Sequence, residues 1–242
     1  TDNKDIPMRL VPAGEFTMGN DGGDADSRPA HVVNLEAFYI DKYEVTNELY
    51  DACVYAVKCR RPQQVRSATR NTYYKNPVFA NYPVIYVDWK MAKTYCEWRG
   101  ARLPTEAEWE KAARGPSTGS GDERAYPWEG DKLDCSFANF YGCVGDTTPV
   151  DQHEKGQSVY GVYGMAGNVW EWTSSLFRQY PYSTTDGRED PDASGNRMAR
   201  GGSWHIFGGN SGNVSTDTRL KLDPGYYGAY VGFRCAITSN SP

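Results

Sequence analysis

Arg200-Gly201-Gly202-Ser203-Trp204 stands 26 residues ahead of Val231-Gly232-Phe233-Arg234-Cys235, and the reading of what lies between them decides the fold. Residues 205–230 keep neither a helical nor a strand period, so they read as loop held at both ends by strands. Gly, Ser, Tyr and Asn supply twelve of the 26 residues. Antibody paratopes use the same mixture, because Tyr gives wide amphipathic contact at low entropy cost while Ser, Gly and Asn adapt their hydrogen bonds. The plainer reading is a solvent-facing connection, polar because loops are. Phe207, Tyr226, Tyr227 and Tyr230 favour an interaction patch.

Outward from this stretch, Met198 to Ser203 and Val231 to Ala236 read as its flanking strands, with further strands at Val169 to Thr173 and Ala125 to Trp128. Asp88 caps a helix carrying Met91, Ala92, Tyr95, Cys96 and Trp98, which Gly100 ends. Thr105-Glu106-Ala107-Glu108 is a capping box opening a second helix, closed by Gly115-Pro116. Both helices show amphipathic spacing, which places Trp98 and Trp109 in the core. Thr46 caps a shorter helix ending near Ala56, and residues 60–82 form an irregular excursion packed by its own tyrosines. Met8 to Phe16 and His31 to Ile40 alternate as strands. Two main helices plus short antiparallel strands make an α+β fold low in regular secondary structure.

With 242 residues and no linker, the chain reads as a single domain over 1–242 with a sizeable core. A net charge of −5 and pI near 5.3 leave no basic patch, so nucleic acid is excluded as a partner. There is no run of about 20 apolar residues and no leader before Thr1, so no direct membrane insertion is expected. Among six cysteines, Cys53 with Cys59 and Cys135 with Cys143 close short loops, leaving Cys96 for Cys235. The three histidines are scattered and no C-x-x-C occurs, which argues against zinc. Disulfides imply an oxidising place, extracellular or at the cell surface, or the cytoplasm of a thermophile.

The ordered motifs Pro12-Ala-Gly-Glu-Phe-Thr-Met-Gly19, Glu44-Val-Thr-Asn47, Val87-Asp-Trp89, Arg102-Leu-Pro-Thr-Glu-Ala-Glu-Trp-Glu110, Tyr126-Pro-Trp128, Gly167-Asn-Val-Trp-Glu-Trp172, Arg200-Gly-Gly-Ser-Trp204 and Gly232-Phe-Arg-Cys235 resemble the formylglycine-generating enzyme, or sulfatase-modifying factor, family. The resemblance covers Met8 to Ala236 and implies its C-type lectin-like fold, with Cys96 bonded to Cys235. In that family two copper-binding cysteines follow the Gly-Gly-Ser motif; the matching positions here hold Ile206 and Ser211. Neither side chain suits Cu(I), so no copper and no oxidase chemistry are expected. The resemblance also implies structural Ca2+, held by the Glu171 carboxylate with the carbonyls of Gly164, Gly167 and Val169. A second ion would take Asn139 and the Phe140 carbonyl. Hard oxygen donors suit such an ion. The residues themselves leave Glu171 a second role, as a buried carboxylate holding backbone amides or an arginine.

Without its cysteine pair the chain looks like the variable proteins of diversity-generating retroelements, several of which use this fold and vary between the same two anchors. That implies a non-catalytic protein displaying 205–230 as a ligand-binding segment. The site would be His205, Ile206, Phe207, Asn210, Leu220, Asp223, Tyr226, Tyr227 and Tyr230, supported from beneath by Trp204, Gly201 and Gly202. Its partner would be a protein or other macromolecular ligand, held by aromatic anchors and selected by polar groups. The alternative is an oxidoreductase or maturation factor of the same family with a substituted active site. A calcium-dependent sugar lectin ranks last, since neither Glu-Pro-Asn nor Trp-Asn-Asp occurs.

Overall fold

A computed structural model describes residues 1–2, 4–117, 124–205 and 214–239. Within them the chain is the expected α+β fold, with three helices, α1 (Asn47–Tyr55), α2 (Trp89–Trp98) and α3 (Glu106–Arg114), each starting at its expected cap. Thr46 accepts from the Leu49 amide and Asp88 from the Met91 amide, while Thr105 and Glu108 close a reciprocal capping box.

The strands depart from the sequence pattern in an instructive way. The run from Met8 breaks into β1 (Met8–Val11) and β2 (Gly14–Met18), and the run from His31 breaks into β3 (His31–Leu35) and β4 (Phe38–Asp41). Pro12 has no amide to give a ladder, and Gly14 takes φ +128°, so the chain turns a corner there. β2 then pairs with β3, while β1 pairs with β4 in a separate sheet that β9 (Ala236–Thr238) completes.

The largest sheet has four strands in the order β7-β6-β5-β8, formed by β5 (Trp170–Leu176), β6 (Arg197–Arg200), β7 (Arg219–Leu222) and β8 (Val231–Phe233). β5 and β8 run parallel, so the strands are not all antiparallel. Val231 to Ala236 is not one strand either: Arg234 and Cys235 carry the chain from this sheet into the other. Ala125 to Trp128 forms no strand but a loop in which Tyr126 stacks on Trp128 at 5.1 Å. The excursion at 60–82 is packed by its own rings, Tyr73, Phe79 and Tyr82 lying 5.2 to 6.1 Å apart.

Strand β7 corrects the reading of 205–230 as one loop. Val214 to Arg219 is buried, and Arg219–Leu222 pairs along its length with Arg200–Arg197. The segment therefore has a buried return limb at its centre.

All six cysteines form disulfides: Cys53–Cys59, Cys96–Cys235 and Cys135–Cys143. Cys96–Cys235 ties α2 to the crossing between β8 and β9 over 139 residues. Closing so long a loop is worth on the order of 4–5 kcal/mol in the chain-entropy view. Trp109 is core, as its spacing predicts, but α3 is buried on every side rather than amphipathic. Its charged residues are tolerated there because Glu106, Glu108, Glu110 and Arg114 are ion-paired and Lys111 donates to the Pro12 and Gly14 carbonyls.

Candidate functional site

The two anchors are built around buried arginines. Arg200, fully buried, donates to Glu110 of α3, to the Thr216 carbonyl at 2.8 Å and to the Asp217 carbonyl at 3.1 Å. It thereby fastens the end of β6 to both α3 and the return limb. Arg219 grips Glu106 of α3 with Nε at 2.6 Å and Nη2 at 3.0 Å. Burial alone would raise the Glu106 carboxyl, but Arg219 and Arg200 outweigh it and hold it below the usual range.

Arg234, in the second anchor, makes a bidentate pair with Glu171 at 2.6 Å for each bond and donates to the Tyr163 carbonyl at 2.7 Å. Gly201 follows Arg200 at φ +97°, where a Cβ would meet the Trp109 ring at 2.9 Å. Only glycine fits that turn.

Trp204 then folds back as a floor. Its indole donates to the Ala229 carbonyl at 3.2 Å and its amide to the Asn168 carbonyl at 3.1 Å, which staples the two ends of the segment together. On this floor His205 stacks on Tyr230 at 5.3 Å with ring planes 12° apart, and the Tyr226 hydroxyl bonds that of Tyr230. Burial, then the Tyr226 hydroxyl, push the Tyr230 phenol well up.

Tyr86, which sequence reasoning missed, borders the same ledge. Its amide donates to the Gly228 carbonyl at 3.0 Å, and it holds φ +58°, a left-handed backbone that bulky residues avoid. Such strain collects at functional positions. No residue pattern announces it. Burial raises its phenol, with Arg66 alongside opposing the rise.

The other expected site residues are scattered. Leu220 lies in β7 opposite Ala199 and packs partly into the main core with Tyr226 and Tyr230. Tyr227 is 43% exposed. Asp223 closes its own turn, accepting from Gly225 at 2.8 Å, and faces a separate cavity of about 490 Å3 with Trp89, Pro191 and residues 193–197. Ile206, Phe207, Asn210 and Ser211 lie outside the described residues.

The residues assigned to calcium divide. Glu171 takes its second role, since both oxygens serve Arg234 and one also accepts from the Trp109 indole at 2.8 Å. With a guanidinium seated on it, that carboxylate does not fit an ion. Val169 sits with Tyr73 and Ile85 in a small core cluster. The Phe140 carbonyl accepts from the Cys143 amide at 3.0 Å within the Cys135–Cys143 turn, and the Gly167 amide donates to Gly201. Gly164 and Asn139 instead line a small cavity with Asn168, His153 and Glu44. Glu44 Oε1 accepts from Asn168 at 3.0 Å, while among the described residues Oε2 and Asn139 Oδ1 have no hydrogen-bond partner. Burial, with the nearby Glu171 carboxylate, raises Glu44 to about 8.

Comparison with known proteins places this geometry. The model of the sulfatase-modifying factor enzyme 1-like domain matches residues 2–239. Serine/threonine-protein kinase Pkn1 of Chlamydia trachomatis is 32% identical over 95% of the chain and 38% of its own length, so the chain spans about two-fifths of that relative. The inactive C-alpha-formylglycine-generating enzyme 2 of Bos taurus is 30% identical over 98% of the chain and 90% of its own length. The formylglycine-generating enzyme of Mus musculus is also 30% identical, over 95% and 74%. Among solved structures, PvdO from Pseudomonas aeruginosa superposes at a TM-score of 0.73 with 28% identity, covering 96% of this chain and 94% of its own. Treponema denticola variable protein 1 shares the fold, with a TM-score of 0.71 at 24% identity over 96% and 94% of the two chains.

Proposed function

Because the chain belongs to the sulfatase-modifying factor enzyme 1-like domain family, we propose that it is a non-catalytic member that binds a macromolecular ligand through the surface between its two anchors. The observation carrying this reading is the pinned aromatic ledge: His205, Tyr226 and Tyr230 lie on the Trp204 floor, against a frame clamped by Arg200, Arg219 and Arg234. A rigid base under adaptable aromatic and polar residues is how paratopes hold specificity while their surface changes. On this reading the ligand-binding set also takes Ile206, Phe207 and Asn210 from the same segment, with Tyr227 next to Tyr226 and Asp223 contributing from the adjoining cavity.

The family's oxidase chemistry needs thiolates, and all six cysteines here are in disulfides. Ile206 and Ser211 stand where the resemblance puts the copper-binding pair. The same disulfides suit an oxidising, extracellular or cell-surface setting. Among the described residues no helix is long and apolar enough to cross a membrane.

The fold shared with Treponema denticola variable protein 1 suggests that the surface is diversified. Sequencing the coding region from many descendants of one clone tests this. Substitutions gathered within 205–230, copied from a nearby template repeat beside a reverse transcriptase, are expected. Substitutions spread evenly along the chain, with no template, contradict it. The mouse relative supports one other reading, an oxidoreductase or maturation factor with replacement ligands.

A further inference from the structure

A second pocket lies away from the ledge, between the start of α2 and the loop before β6. It encloses about 320 Å3, at the lower end of ordinary ligand pockets, with Trp89, Leu103 and Pro191 as apolar walls. Its rim cations are already committed. Lys93 bonds Glu97, and Arg102 makes two 2.6 Å bonds to Glu108. Arg197, stacked over the Trp89 ring at 4.1 Å, spends its Nη1 and Nη2 groups on the carbonyls of Ser174, Asp190, Pro191 and Ala193.

Glu189 also lines the pocket; Arg197 and Arg102 act on its charge from a distance, but among the described residues it makes no ion pair. Its Oε1 accepts from Ser175 at 2.5 Å and Tyr182 at 2.9 Å, and its Oε2 only from the Ser174 hydroxyl at 3.2 Å. The two arginines spend their hydrogen bonds elsewhere, and hydroxyls orient a carboxylate without neutralising it. Burial accordingly raises the Glu189 carboxyl despite those bonds.

We propose that this pocket binds an organic cation, an ammonium or guanidinium group on a short apolar stem, which seats its charge on Glu189 Oε2 and its stem against Trp89, Leu103 and Pro191. The chemistry is shared by free amines and by lysine or arginine side chains of a peptide. The neighbouring cavity shares Trp89 and Pro191 and leads to Asp223, so a peptide bearing such a side chain has a second acidic group on its way to the ledge.

Calorimetric titration of the whole chain with butylguanidinium, against butanol and butyrate, tests the proposal. Saturable binding of the cation alone is expected, weakened at least about tenfold by Glu189→Gln, the loss of one charge-assisted hydrogen bond. Glu36→Gln, an exposed carboxylate outside the pocket, should leave it unchanged. No binding, equal binding of butanol, or an unaltered affinity in Glu189→Gln overturns it. If Glu189→Gln does not fold, a crystal of the unaltered protein grown with butylguanidinium decides: a guanidinium on Glu189 supports the proposal, and one elsewhere or none overturns it. Stronger binding of an acetyl-Gly-Arg-Gly amide than of butylguanidinium would identify a peptide side chain as the source, and the reverse a free cation.

Discussion

At the scale of single residues, buried charge decides more than any surface group. Arg200 and Glu110 are both fully buried, so removing one leaves the other with a single, longer-range counter-charge, Arg114 for Glu110 or Glu106 for Arg200, in a medium that cannot solvate the deficit. Arg200→Met is expected to cost about 3–5 kcal/mol, measured by denaturant unfolding, and the added change Glu110→Gln should recover part of it. Glu44 acts in the opposite sense. Its carboxyl is raised to about 8 in the fold from an ordinary value of 4.5, so the folded state holds the proton more tightly. Its contribution is complete below about pH 4.5, shrinks as pH rises, and is gone above about pH 8. Glu44→Gln, which mimics the protonated acid, should flatten that decline and make the protein about 2–4 kcal/mol more stable than the parent at pH 8.5. Unfolding midpoints between pH 5 and 8.5 would check this, and parallel profiles for the two proteins would refute it.

At the scale of elements, local signals were legible and long-range ones were not. The caps Thr46, Asp88 and Thr105 place all three helix starts, because a cap is a bond between residues three apart. β7 escaped notice because its four residues alternate too briefly to register, and what fixes them is Arg219 reaching Glu106 across 113 residues. The breaks in the two N-terminal strands are corners between sheets, which a period-two pattern passes straight through. The end of β6 shows the cost of such a corner. Gly201→Ala adds a methyl against Trp109 at an unfavourable φ, and a loss of about 2–4 kcal/mol is expected in thermal or denaturant unfolding.

At the scale of the whole molecule, the site was legible in outline and not in detail. Two anchors and the mixture between them pointed to a display surface, and the structure joins the ends of that segment through Trp204 and Ala229. Asp223 faces another cavity and Tyr86 joins from a distant loop, because a surface is assembled from residues that share no spacing. The frame under it depends on Cys96–Cys235. Replacing both cysteines by serine should cost about 4 kcal/mol, more than removing either short-loop disulfide. Denaturation of the three double variants gives the order.

Oxygen uptake by the purified chain, supplied with copper and a cysteine-containing peptide, bears most directly on whether this member of the family still performs chemistry. With every cysteine in a disulfide, uptake should match that of buffer containing copper and peptide alone. Sustained, peptide-dependent consumption above that background would show a working oxidase and overturn the reading of the ledge as a surface for binding only.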